Sequence, residues 1–196
     1  MKKLILLIFP VISSLNILIS QNKNIEKNFS VKKMYQIHFD GLPRTLELVE
    51  MPNGEFEGHF KIKLDRENKN ITQKIQREVP MTKNDAKELM LMLENMGIET
   101  IASCEENNDC KEFLHADFTT FKINTPKNKR QYSFYNLSDL DLKNEKPENR
   151  RQAQQILNYI DKRLDFKIEY QKIKKELPSG RYSYFSGNDV YSFEIK

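Results

Sequence analysis

Thr82-Lys83-Asn84-Asp85-Ala86-Lys87-Glu88-Leu89-Met90-Leu91-Met92-Leu93-Glu94-Asn95-Met96-Gly97 is the stretch that decides the fold. Thr82 suits an N-cap, and Asp85, three residues on, suits the reciprocal position of a capping box. Ala86, Leu89, Leu93 and Met96 recur at three- and four-residue steps and so share one helical face. Gly97 falls where a left-handed residue ends a helix. The segments on both sides alternate apolar and polar residues as strands do. The stretch therefore reads as an amphipathic helix lying on a sheet.

Upstream, Tyr35, Ile37 and Phe39 alternate with Gln36, His38 and Asp40, the pattern of a half-buried strand. Gly41-Leu42-Pro43 reads as a turn, and Leu46 and Leu48 mark a second strand. Asn53-Gly54 signals a tight turn. Phe56, Phe60, Ile62 and Leu64 then line one face of a third strand, opposite Glu57, His59, Lys61 and Lys63. Asp65 to Asn70 reads as a polar turn, and Ile71, Ile75 and Val79 open to one side of a fourth strand that ends at Pro80. Four strands in succession make an antiparallel meander.

Downstream, Phe118, Phe121 and Ile123 form one strand, and Tyr132 and Phe134 mark its partner across the Pro126 to Lys129 turn. Pro147 suits a first helical turn. Ala153, Ile156, Leu157, Ile160 and Leu164 then form an apolar stripe, opposite Arg150, Gln154, Asp161 and Lys162. Phe166 to Lys175 is open to two readings: Phe166, Ile168 and Tyr170 alternate like a strand, while Ile173 and Leu177 extend a helical pattern. Arg181 to Phe185 and Val190 to Lys196 flank Ser186-Gly187-Asn188-Asp189 as a closing hairpin over 180–196. The expected class is α+β, a mainly antiparallel sheet packed by two amphipathic helices.

Residues 1–20 form a separate unit. Lys2 and Lys3 precede a largely apolar run from Leu4 to Ile19, and Gln21 opens a polar chain. That is the layout of a secretory signal peptide. The run is shorter than a transmembrane span and polar in its middle, so cleavage near Ser20 is expected, with no transmembrane segment thereafter. The absence of cysteine at its end excludes lipid attachment there. Residues 21–33 read as a flexible arm, and 34–196 as one domain. Removing the leader's two lysines reduces the net charge from +4 to +2. The charges mix evenly, with no basic stripe for nucleic acid.

Cys104 and Cys110 enclose Glu-Glu-Asn-Asn-Asp. In an exported chain a close pair of this kind reads as a disulfide. Zinc would need further ligands, and only His115 lies nearby. His38 and His59 alternate with apolar residues and so face solvent from their strands; with Asp40 they would bind metal only as neighbours, and a strand at Arg44 to Glu50 is expected between them. The acidic groups Glu105, Glu106, Asp109 and Asp139, Asp141, Glu145 lack a calcium-loop pattern. No catalytic motif, cofactor fingerprint or metal site emerges, and no catalytic residue is assigned.

The closing hairpin carries the one candidate surface. Tyr182 and Tyr184 share a face of its first strand, and Tyr191 and Phe193 share a face of the second. Opposed, they make an aromatic sheet face, either a binding surface or a face packed on a helix.

Leu177-Pro178-Ser179-Gly180-Arg181-Tyr182, followed by a short hairpin and a final Lys196, resembles the tail of the C-terminal sorting domain of type IX secretion substrates. The likeness covers about the last twenty residues, and the Tyr-Pro-Asn-Pro-like opening of that domain is missing. The layout as a whole resembles small exported bacterial α+β domains, a resemblance that brings no catalytic residues. The expected function is a non-enzymatic binding module, periplasmic, secreted or on the cell surface, for protein or glycan. The alternatives are a secreted hydrolase whose site gathers distant residues, and a structural envelope component.

Overall fold

The computed structural model describes residues 31–39, 41–68, 71–103, 118–135, 137, 148–186 and 189–196. The leader, most of the arm, both cysteines, His115, Asp40 and both acidic groups lie outside them.

The strands are β1 (Lys33–His38), β2 (Arg44–Glu50), β3 (Phe56–Asn68), β4 (Ile71–Pro80), β5 (Phe118–Asn124), β6 (Lys129–Tyr135), β7 (Gly180–Ser186) and β8 (Asp189–Ile195). The helices are α1 (Lys83–Asn95), α2 (Glu148–Leu164) and α3 (Phe166–Glu176). The class is α+β, with one curled antiparallel sheet in the order β6-β5-β1-β2-β3-β7-β8 and β4 also paired to β3.

The thirteen-residue β3 organises this sheet. Its first half pairs with β2, from Phe56 opposite Glu50 to Ile62 opposite Arg44. Asp65, Arg66 and Glu67 pair with Ser183, Tyr182 and Arg181 of β7. β4 pairs with residues 59–68, so β2 and β7 must share the opposite edge, end to end. The polar turn expected from Asp65 onward is instead strand as far as Asn68. Pairing on both edges satisfies the backbone there, whatever the polarity of the side chains.

Thr82 caps α1 as its spacing predicts. The Asp85 N–H donates to Thr82 Oγ1 at 3.1 Å. The return bond differs from the usual box, because the Thr82 hydroxyl donates to Asp85 Oδ2 at 2.6 Å. Gly97 ends the helix with φ +80°, and Ala86, Leu89, Met90 and Leu93 are buried. α2 runs antiparallel to α1. Gln152 near its start donates to Met96 O at 2.7 Å, and Arg163 near its end reaches Asp85 and Glu88 at 3.0 and 2.9 Å.

The turn after α1 is held by long side chains from elsewhere. Tyr132 Oη donates to Ile98 O at 2.6 Å, Arg130 to Glu99 O and Ile101 O, and Asn149 to Ala102 O. Carbonyls of the irregular segment beyond the helix, which has no ladder of its own, are thereby satisfied. Glu99, in the same turn, accepts from Tyr35 Oη and pairs with Lys33 at 2.9 Å. Burial opposes ionisation of Glu99, but the bonds from Tyr35 and Lys33 outweigh it and hold its carboxyl below the usual range.

Two expectations change here. A third helix, α3, occupies the stretch open to two readings. Asp165, in the left-handed region at φ 42°, separates it from α2 and caps it. Its Ile173, and Leu177 just beyond it, are buried. Arg150 and Gln154, expected on the polar side of α2, are also buried. Arg150 lies 4.1 Å from the centre of the Tyr135 ring and donates to Tyr135 O at 3.0 Å. A guanidinium with a planar aromatic partner and a carbonyl is accommodated where a bare charge would not be.

Candidate binding groove on the open face

The alternation of β1, β2, β3 and β5 divides the sheet. Tyr35, Ile37, Leu46, Leu48, Phe60, Ile62, Phe121 and Ile123 are buried on the helix-covered face. The intervening residues form an open polar face on which side chains join across strands. The Gln36 amide donates to Glu47 at 2.9 Å, Lys61 pairs with Glu47 at 2.6 Å, and His59 Nδ1 lies 2.9 Å from Glu78.

His38 sits at one end of this row, half-buried. Its Nε2 is 3.2 Å from Gln36 Oε1, and its Nδ1 is 2.9 Å from Thr45 Oγ1. Because the Gln36 amide nitrogen donates to Glu47, its oxygen faces the ring and can only accept. Nε2 of the neutral imidazole therefore carries the hydrogen, and Nδ1 accepts from Thr45. Burial, then the charges of Lys122 and Lys63, hold the His38 pKa below its usual value of about 6.5, against a smaller opposing effect of Glu47.

Below His38, at the β1–β2 turn, lies a groove of about 670 Å³. His38, Thr45, Lys63, Lys74, Phe118 and Phe185 are among its walls. Lys63 stands opposite Gln76, and Lys74 opposite Asp65, on adjacent rungs of one face. Asp65 is the one acid among the described lining residues. Tyr184 Oη donates to Gly41 O at 3.0 Å and so ties the end of β7 to the β1–β2 turn. Phe185, the next residue, points to the other side and is 69% exposed. Phe118 is also partly open to solvent.

Of the described residues singled out from sequence as site candidates, two line this groove. His38 is there but is half-buried and hydrogen-bonded on both nitrogens, where an exposed ring was expected. Tyr184 contributes to the wall. β2 separates β1 from β3, so His38 and His59 do not meet. Among the described residues no three His, Cys, Asp or Glu side chains are grouped to hold a metal ion.

The four aromatic residues of the hairpin stack in register. Tyr182 lies on Phe193 at 5.5 Å between ring centres, and Tyr184 on Tyr191 at 5.4 Å. Tyr182 is fully buried, and Tyr184, Phe193 and Ile195 pack against the core. Lys174 of α3 covers the Phe193 ring at 4.5 Å. Lys63, Lys74, Phe118 and Phe185 carried no sequence signal as a set, because three separate hairpins bring them together.

No family model matches the chain, and no curated protein matches it either. Among the described residues no helix is long and apolar enough to cross a membrane.

Proposed function

We propose that the chain is an exported, non-enzymatic binding module of the periplasm or cell surface, and that the open-face groove receives an acidic glycan. The observation that carries this reading is Lys63 and Lys74 on adjacent rungs of one face, in a groove whose walls also include two exposed phenylalanines, Phe118 and Phe185. The lysines offer mobile charge-assisted donors to carboxylates. Phe118 and Phe185 offer apolar ring faces for the flat side of a sugar. Export rests on the leader pattern, and exported protein should begin near Gln21 by intact mass.

Retention on immobilised polygalacturonate, compared with neutral dextran, tests the ligand class. The protein should be retained on the acidic polymer alone and released by salt. Lys63→Glu with Lys74→Glu should abolish retention. Lys87→Glu with Lys162→Glu, an equal charge change elsewhere, should leave most of it. Equal losses in the two pairs would reduce the effect to net charge and defeat the reading. Binding instead to an acidic peptide would keep the groove and change the ligand.

The Thr45–His38 contact favours a second reading, a hydrolase with the Thr45 hydroxyl as nucleophile and His38 as base. Ester hydrolysis abolished by Thr45→Val would establish it. Hydrolysis absent from the parent protein would remove it.

A further inference from the structure

β4 is bonded to β3 along one edge, and among the described residues no strand pairs with its other edge. Only Ile75 and Val79 are half-buried; the rest of the strand is exposed. A free edge of this length is a template for another strand. We infer that its occupant is a second copy of this chain, joined by antiparallel β4–β4 pairing about a two-fold axis through Ile75.

Three constraints select that register. A two-fold axis perpendicular to a sheet carries each face onto itself, and directly opposite residues share a face. Only registers in which one residue stands opposite its own copy meet both conditions. Next, Pro80 has no N–H to give a ladder, which leaves Ile71 to Val79, and the midpoint of that run is Ile75.

The side chains supply the third constraint. On the helix-covered face, Ile71 meets the partner's Val79, Ile75 meets the partner's Ile75, and Gln73 meets the partner's Arg77. On the open face, Lys74 meets the partner's Gln76, and Thr72 meets the partner's Glu78. No like charges stand directly opposite, and Ile71, 73% exposed in one copy, gains an apolar neighbour. Centring on Gln76 instead aligns Lys74 with the partner's Glu78, but it sets Arg77 against Ile75 and Gln73 against Val79. Exposed ion pairs contribute little, so the apolar rungs decide. Lys74, Ile75 and Gln76 also line the groove, so the two grooves meet at the axis.

Light scattering across a dilution series of the full chain reads the assembly directly. A dimer that dissociates on dilution is expected, and Ile71→Lys should shift it to monomer with unchanged circular dichroism. Directly opposed residues in an antiparallel pair lie about 4.5–5.5 Å apart at Cα, within disulfide reach. Oxidised Ile75→Cys should therefore form a covalent dimer beyond the parent background, and Gln76→Cys should not. If Ile75→Cys does not fold, Gln73→Cys with Arg77→Cys reads the same register. A monomer at every concentration, a dimer indifferent to Ile71→Lys, or cross-linking through Gln76→Cys instead would overturn the inference.

Discussion

Ala86 of α1 stands directly over Gly58 of β3, so close that a Cβ on Gly58 would lie 2.9 Å from the Ala86 Cβ and 2.8 Å from Met81 Sδ. The missing side chain lets the first turn of α1 settle onto the sheet. Gly58→Val should push that turn away. A loss of about 1–3 kcal/mol is expected from overpacking, measured by urea unfolding. Unchanged stability would show that α1 shifts without cost.

The helix faces can be tested by truncation. Leu93 and Ile160 are fully buried, and each replacement by Ala should cost about 2–5 kcal/mol from lost transfer energy and the cavity left behind. Lys87→Ala and Lys162→Ala, on exposed positions, should stay within about 0.5 kcal/mol. Comparable losses in both pairs would mean that these faces are misassigned.

The hairpin separates packing from recognition. Tyr182 is fully buried and donates its hydroxyl to Pro178 O at 2.6 Å. By analogy with other buried aromatic truncations, Tyr182→Ala should cost about 3–5 kcal/mol. Half-buried Tyr191 should cost less. Thermal unfolding of the two variants gives the order, and a larger effect at Tyr191 would contradict the packing described here.

His38 makes stability depend on pH. Its folded pKa lies below its unfolded value of about 6.5. The unfolded chain therefore binds more protons near pH 6, and stability rises with pH there. The contribution is whole above the unfolded value and is lost as pH falls toward the folded one. Lys63 and Lys122 oppose the added charge, and Glu47 favours it. His38→Gln should flatten the unfolding midpoint between about pH 7 and 5, the interval below the ordinary imidazole value. A slope identical to that of the parent would assign the dependence to other groups.

Local signals account for much of the fold. The Thr82 cap, the left-handed Gly97 and the Asn53-Gly54 turn are written in short patterns, and the alternation around His38 and His59 assigns their faces. Legibility ends where distant chain decides. Asp65 to Glu67 are strand because β7 arrives beside them, and no local pattern carries that. Arg150 is buried because Tyr135 supplies a ring and a carbonyl. The groove is less legible still. Phe118, Phe185 and Lys74 belong to three hairpins, and their meeting follows from the curl of the sheet and the Tyr184–Gly41 bond.

The double use of β3 also has a kinetic consequence. Its contacts with β2 and β4 span short loops, whereas those with β7 join residues 65–67 to residues 181–183. Closing a long loop costs entropy before any contact compensates for it. The N-terminal meander should therefore form early, leaving half an edge of β3 vacant. Only when the C-terminal hairpin leaves the ribosome can that edge be filled. Until then the nascent chain displays an unpaired strand beside an incomplete core, the state in which partly folded chains are most exposed to aggregation and proteolysis.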